Sequence, residues 1–387
     1  MPLAVSLDVS AIPPRPAGAG RYVLELARAL AAEVDLSLTV VARRDDSARW
    51  QALGPRRLVN PVWVTRPGRI AYERWLLGPA LERLSRPRVA VHHGPHYTFP
   101  THAGRIASVV TIHDLTFFDH PEWHERAKVR FFRQAIRRAA AKADVIVCVS
   151  RTTADRLNDL LDPRGEVVVI PHGVDHARFC PAADPAADAV LTTRAGVPGG
   201  LEYVLHVGTL EPRKGVADLI AAFDELTTVR HHLALVLAGL PGWGAAGVEA
   251  AIARSRAPER IRRLGYVADE AVPALMRQAA AVAYPSLDEG FGLPALEALA
   301  CGAPLVTSVG TAMSEFAGPA AWTAAPGDHR GLARALTSAL GSDEAERARR
   351  RLAGTERASH FTWHRSARAH IAAYELAADR KSGRPRE

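Results

Sequence analysis

Short apolar runs alternate along the chain with longer stretches in which apolar residues recur every three or four positions. The runs Ala4–Asp8, Leu36–Ala42, Val89–His92, Ala107–Thr111, Val145–Val149 and Val167–Ile170 predict strands, and stretches such as Tyr22–Glu33 and Lys128–Ala143 predict the helices between them. His176–Gly200 breaks the pattern: it is rich in Pro, Ala and Asp, with Pro181, Pro185 and Pro198, and reads as a linker. The alternation then restarts, with strands expected at Tyr203–Val207, Ala234–Ala238, Arg263–Tyr266, Ala281–Tyr284, Pro304–Ser308 and Ala321–Thr323. Strands spaced by helices imply parallel βαβ units. The expected class is therefore α/β, with two doubly wound parallel-sheet domains in tandem. Ligands bind such sheets at the carboxyl ends of the strands, so two domains facing a cleft suit a reaction of two substrates.

A length of 387 residues agrees with two domains of roughly 100–200 residues each. Lys and Arg outnumber Asp and Glu by 49 to 41, which favours an anionic partner without choosing among small ligands, membrane surfaces and nucleic acid. The cysteines, Cys148, Cys180 and Cys301, are odd in number and far apart, so neither a disulfide framework nor a zinc site is expected. The amino terminus has no basic n-region, and no apolar run is long enough to span a bilayer. A cytoplasmic protein is expected, with any membrane contact peripheral.

Four segments carry candidate chemistry, each after an expected strand. The first is Asp288-Glu-Gly-Phe-Gly-Leu-Pro-Ala-Leu-Glu297. Pro294 fits the first turn of a helix, which puts Gly290 and Gly292 in the loop before a helix N-terminus, where free amides and the helix dipole favour an anion. Glu289 in that loop and Glu297, expected on the first helical turn, would repel phosphates and instead suit hydroxyl groups. The second is Gly208-Thr-Leu-Glu-Pro-Arg-Lys-Gly215, where adjacent Arg213 and Lys214 can neutralise a departing diphosphate. The third, Pro13–Tyr22, brings Gly18 and Gly20 to a loop after the first strand; it is not a G-x-G-x-x-G dinucleotide fingerprint. The fourth is Thr111-Ile-His113-Asp114-Leu, whose histidine suits a sugar hydroxyl or a proton transfer.

Together the glutamate pair Glu289 and Glu297, the G-x-L-x-x-x-K-G at Gly208–Gly215 and the H-D-L at His113 resemble the retaining family 4 glycosyltransferases of the GT-B fold over nearly the whole chain. The resemblance implies two Rossmann-like domains. One is an acceptor-side domain at 1–176, with a C-terminal helix at 365–387 packing back on it; the other is a nucleotide-sugar domain at 177–364. It also implies site roles. Arg213 and Lys214 hold the donor pyrophosphate, Glu289 faces the donor sugar and Glu297 the ribose. The amides of Phe291, Gly292 and Leu293 approach sugar and phosphate, and His113 lies near the anomeric carbon. Gly18 and Gly20 border the diphosphate, and Tyr266 and Val267 line the base through backbone groups. Pro171-His-Gly-Val-Asp175 resembles the hinge crossing. The implied reaction moves a hexose, mannose as first choice, from a nucleoside-diphosphate sugar to a glycan or lipid-linked acceptor.

No two aspartates are separated by a single residue, so the D-x-D metal motif is missing and the Arg–Lys pair supplies the positive charge; no metal or other cofactor is expected. His92, His93 and His96 are read as cleft or loop residues, not metal ligands. Arg66–Arg88 mixes six Arg with Tyr72 and Trp75; it fits a partly buried amphipathic helix first and an anionic membrane surface second. The alternatives weighed are a GT-B sugar-nucleotide epimerase, a silent sugar-nucleotide-binding subunit and a nicotinamide dehydrogenase. Only net charge speaks for nucleic acid.

Overall fold

A computed structural model describes residues 2–383 except Arg15, Ala17, 84–87, 101–103 and 182–183. The chain divides into two compact units, one of Met1–Pro121, Glu125–Gly173 and Trp363–Glu387, the other of Glu122–His124 and Val174–Thr362. The crossings thus fall at Gly173/Val174 and Thr362/Trp363, a few residues earlier than the boundaries at 176 and 364 read from the sequence. Each unit holds one parallel sheet flanked by helices, the doubly wound α/β architecture expected from the sequence.

The first unit contains β1 (Leu3–Asp8), β2 (Leu36–Arg43), β3 (Arg57–Val62), β4 (Val91–Gly94), β5 (Ala107–Ile112), β6 (Val145–Cys148) and β7 (Glu166–Val169), ordered β3-β2-β1-β4-β5-β6-β7 and parallel throughout. Strand β3 escapes the sequence pattern because its residues Arg57, Asn60 and Pro61 interrupt any apolar run, as an edge strand permits. The helix Ala19–Ala31 begins three residues before the expected Tyr22 and buries Tyr22, Val23, Leu26, Ala27 and Leu30 along one stripe. The C-terminal helix Trp363–Ser382 buries Ala367, His370, Ile371, Tyr374 and Ala377 on the same core; residues 384–387 of the expected helix lie outside the described residues.

A chain of hydrogen bonds ties that last helix to the sheet, and its proton positions follow from one fixed point. The Ser366 carbonyl can only accept, so His370 Nδ1, at 2.7 Å, carries a proton, and in the neutral ring Nε2 accepts. Tyr22 O–H therefore donates to His370 Nε2 at 2.9 Å, and Thr111 O–H donates to the Tyr22 oxygen at 2.9 Å. His93 Nε2–H then donates to Thr111 Oγ1 at 2.8 Å, and Tyr374 O–H to His93 Nδ1 at 2.8 Å. The order requires both imidazoles to be neutral. His92 is likewise engaged, with Nδ1 2.9 Å from Ser6 Oγ.

The second unit contains β8 (Tyr203–Val207), β9 (Ala234–Ala238), β10 (Ile261–Gly265), β11 (Ala281–Tyr284), β12 (Leu305–Ser308) and β13 (Ala321–Ala324), ordered β10-β9-β8-β11-β12-β13 and again parallel. The stretch read as a linker contains a helix, Pro185–Arg194, capped by Asp184 accepting from the Ala186 amide. Its proline sits in the first turn, where it starts a helix, so the composition that suggested a loop instead marks a helix N-terminus. Arg277 clamps Asp188 of this helix with two bonds of 2.7 Å. Strand β10 ends at Gly265, so Tyr266 stands beyond it in the loop, half exposed.

Candidate active site

Each sheet reverses its winding once. In the second unit the chain winds outward from β8 to β10, then returns to the other side of β8 with β11. Such a switch point opens a crevice between the loops that leave the two neighbouring strands. Those are the loops that carry Gly208–Gly215 and Leu287–Gly292. They are joined by a backbone bond of 2.8 Å from Leu287 N to Arg213 O.

Both cations and the first glutamate meet there. Lys214 Nζ donates to Tyr284 Oη at 2.7 Å and to Glu289 Oε2. Arg213 Nη1 donates to the same Glu289 oxygen at 3.1 Å, and its Nε to Glu211 Oε2 at 3.0 Å. The Lys214 side chain is only 7% exposed. Burial pulls its ammonium below the ordinary lysine range, helped by Arg213 and opposed by Glu289. Burial also acts to raise the Glu289 carboxyl, but Lys214 and Arg213 outweigh it and hold the group below its usual range. Two cations and two carboxylates thus balance here, so an anion that entered would exchange with carboxylates for the same donors. Tyr284 is driven well above the phenol range by burial and by nearby Glu289, so it keeps its proton. His206 lies flat against Tyr284, with ring centroids 5.6 Å apart at 12°. It donates from Nδ1 to Ala283 O at 3.1 Å, and burial lowers its pKa to about 4.

Two glycines are fixed by geometry. Gly292 has φ +94 as N-cap of the helix Leu293–Ala300, and a side chain there would meet Met313 Cγ at 2.4 Å. Gly215 has φ +65, and a Cβ on it would stand 2.1 Å from the Pro285 carbonyl oxygen. Gly215→Ala is expected to cost about 3 kcal/mol, from left-handed strain plus the clash with β11's exit loop. The urea midpoint checks this; an unchanged midpoint would show that the two loops can part freely.

The remaining expected residues divide between the units. Glu297 lies on the second turn of its helix, not the first as expected, because the helix starts at Leu293. It remains close enough to Tyr284 for its charge to help raise that phenol. The Phe291 ring packs between Phe316, at 5.2 Å, and Phe361, at 6.2 Å, which leaves its backbone as the part a ligand can meet. Leu293 is buried, and Val267 is half-buried beyond β10. In the first unit, His113 follows β5 and donates from Nε2 to Pro95 O at 2.8 Å, so Nδ1 holds a lone pair; its ring stands edge-on to Tyr22 at 5.1 Å. Gly18, with φ +51, caps the helix Ala19–Ala31 at the exit from β1, and Gly20 is buried against Pro16. Sequence reasoning missed Tyr284, Glu211 and His206. Glu211 stood inside the quoted motif, but its contact with Arg213 needed the turn's shape.

Comparison with known proteins follows the same division. Residues 193–357 match the family described as glycosyl transferases group 1, and residues 16–178 match glycosyltransferase family 4. O-antigen chain mannosyltransferase B of Escherichia coli is 31% identical over 287 residues, covering 74% of each chain. The chain belongs to this glycosyltransferase family. Glycogen synthase of Mycobacterium tuberculosis is 32% identical over 283 residues, 72% of this chain and 65% of that one. Among solved structures, sucrose-phosphate synthase from Thermosynechococcus elongatus superposes with a TM-score of 0.75 at 21% identity, covering 96% of this chain and 98% of the other. Anabaena HepE in complex with UDP-glucose does so with 0.74 at 18%, covering 96% and 99%. The protein is therefore a glycosyltransferase, and the dehydrogenase, epimerase and silent-subunit readings fall away.

Proposed function

We propose that this glycosyltransferase is a retaining, metal-independent hexosyltransferase that takes mannose from a nucleoside-diphosphate sugar and passes it to a glycan or lipid-linked acceptor. The observation that carries the reading is the hydrogen-bonded set Arg213, Lys214 and Glu289 at the switch point of the second unit. A diphosphate takes over the two cations, and Glu289, released from them, accepts from hydroxyls of the donor sugar. The bond from the anomeric carbon to the phosphate oxygen breaks as the acceptor oxygen bonds that carbon on the same face. The acceptor's proton passes to the leaving phosphate, so no enzymic nucleophile is required. The Arg–Lys pair provides the charge that a metal would otherwise supply. Mannose is favoured by the mannosyltransferase relatives, while glycogen synthase among the relatives keeps glucose as the competitor.

A lipid-linked acceptor is supported by the first unit's surface. Trp63, Val64, Trp75 and Leu76 are exposed, Trp75 by 61%, and Arg74 stacks over Trp75 at 5.7 Å. Among the described residues no helix is long and apolar enough to cross a membrane.

The test is a panel of UDP-, GDP- and dTDP-sugars in EDTA, read as thermal shifts and then as transfer with the product's anomeric configuration assigned by NMR. A ligand that binds the folded protein raises its melting temperature according to RT ln(1 + [L]/Kd). One nucleotide series is expected to stabilise the protein without metal, and Lys214→Ala to abolish the shift. An inverted product, or a shift that appears only with added divalent metal, would overturn the reading.

A further inference from the structure

The loop that leaves β9 has no role in the site described so far, yet it is built onto the loop that holds Arg213 and Lys214. Gly208 N bonds Ala238 O at 2.9 Å, Leu210 N bonds Leu240 O at 3.0 Å, and Gly242 N bonds Leu210 O at 3.1 Å. Three glycines allow this approach. A Cβ on Gly239 would stand 1.8 Å from Gly208 O, one on Gly242 2.5 Å from Glu211 Cγ and 2.6 Å from Thr209 Cγ2, and one on Gly244 2.7 Å from Pro212 Cγ. The two loops therefore form one rigid body, in which residues 239–244 hold the turn that aims the cations.

Trp243 lies between the last two of these glycines. It is 52% exposed, and among the described residues its indole has neither a hydrogen bond nor a ring contact. A single exposed apolar side chain on a surface needs no explanation. This one differs because its neighbours on both sides are locked against Glu211 and Pro212, one residue from Arg213, so the backbone that carries this large aromatic side chain is held against the turn that bears the cations. The strand order completes the argument. With β10-β9-β8-β11 side by side, the carboxyl ends present in sequence the half-exposed Tyr266, Trp243, the Arg213–Lys214 pair and Glu289. Neighbouring strands are about 4.8 Å apart. A donor whose hexose faces Glu289 and whose diphosphate lies on β8's loop has its nucleoside left for the β9 and β10 side, where the aromatic faces stand.

We propose that Trp243 is a binding residue of the donor site, the platform on which the base of the nucleoside diphosphate stacks. The inference rests on the donor site proposed above. Stacking on an indole is favourable for any base and strongest for a large one, since every base has a π-face. It thus adds affinity that backbone contacts near Tyr266 and Val267 do not supply.

The experiment compares the native enzyme with Trp243→Ala and Trp243→Phe, using two probes in EDTA: the free nucleoside diphosphate of the donor series and inorganic pyrophosphate. Trp243→Ala is expected to weaken the nucleoside diphosphate roughly tenfold or more, with pyrophosphate binding unchanged and most of the loss restored in Trp243→Phe. Nucleotide-dependent quenching of tryptophan fluorescence is expected to shrink in Trp243→Phe, which still binds. Equal losses for both probes would mean that the residue only holds the loop, and would overturn the proposal. So would unchanged nucleotide affinity with a raised KM for acceptor, which would make Trp243 an acceptor contact. If the native protein binds neither probe, the donor site itself is refuted, a result separate from any behaviour of Trp243.

Discussion

Replacing Lys214 by Met is expected to lower kcat by roughly 10²- to 10³-fold, with a smaller change in donor affinity. The side chain keeps its approximate length and loses the charge together with the bonds it donates to Tyr284 and Glu289. Lys214 is paired with Glu289, so under the proposed reading its full charge becomes available only when a phosphate replaces that carboxylate. The charge on the leaving phosphate peaks in the transition state, so removing one buried partner costs more there than in the ground state. A companion result follows from the same exchange. Glu289→Gln removes the competitor for both cations, and is expected to bind the free nucleoside diphosphate more tightly than the native enzyme while transferring sugar more slowly. Steady-state kinetics and calorimetric titration check the pair. If Lys214→Met raised KM alone, the lysine would bind donor and transition state equally, and the electrostatic account would be wrong. If Glu289→Gln bound nucleoside diphosphate more weakly, the carboxylate would not be competing with phosphate.

The second large effect is on stability, and its sign follows from the buried histidines of the first unit. Burial lowers His92 and His370 to about 4 and His96 to about 3, and it also holds His93 and His172 well below the ordinary imidazole range. The unfolded chain titrates these groups near 6.5. Between about pH 6.5 and pH 4 the unfolded state therefore binds more protons, so stability is full above that window and falls as the pH drops through it. Each such histidine contributes a slope approaching about 1.4 kcal/mol per pH unit. Within the first unit a carboxyl opposes them. Glu73, which Arg69 contacts at 3.2 Å, is raised to about 7 by burial and by Asp8. Its folded form binds the extra proton, so acid favours the native state at that position. His113 and, in the second unit, His206 shift the same way as these five, so one carboxyl does not cancel the imidazoles. Urea unfolding free energy is expected to fall by several kcal/mol between pH 7 and pH 5. His370 alone accounts for on the order of 3 kcal/mol once the pH reaches 4, because burial disfavours its charged form; protonation also sets an N–H against the Tyr22 O–H that donates to it. His370→Leu is expected to flatten the slope by about one proton. A stability that stays level from pH 7 to pH 5 would contradict the ordered chain of hydrogen bonds.

Much of the molecule was legible in the residue pattern. Strands β8, β9 and β11 are short apolar runs with turn residues at both ends, and local burial is enough to define them. The same holds for Gly292 and Pro294, whose backbone needs mark a helix start whatever surrounds it. Edge strand β3 was not legible, because a strand with a polar face and a proline carries no apolar signal. The helix Pro185–Arg194 was missed for the opposite reason: its proline and aspartate are a helix start that resembles a loop until the helix packs. Glu297 was placed one turn too early because a single residue's shift in a helix start leaves no mark in composition.

By itself, then, the sequence determined the class of fold, the tandem of two units, the loops at strand ends and the residue types able to hold a sugar and a diphosphate. These are local properties, set by periodicity, by backbone freedom at glycine and proline, and by the charge of neighbouring side chains. The tertiary structure alone decided which strands adjoin. That order brings β8 beside β11, so Arg213 and Lys214 share one oxygen of Glu289, 76 and 75 positions away. It also threads Tyr22, Thr111, His93, Tyr374 and His370 into one proton-ordered chain and sets the glycines on either side of Trp243 against Glu211 and Pro212. Contacts between distant residues depend on register and on the sheet's reversal, and no spacing along a single chain encodes either.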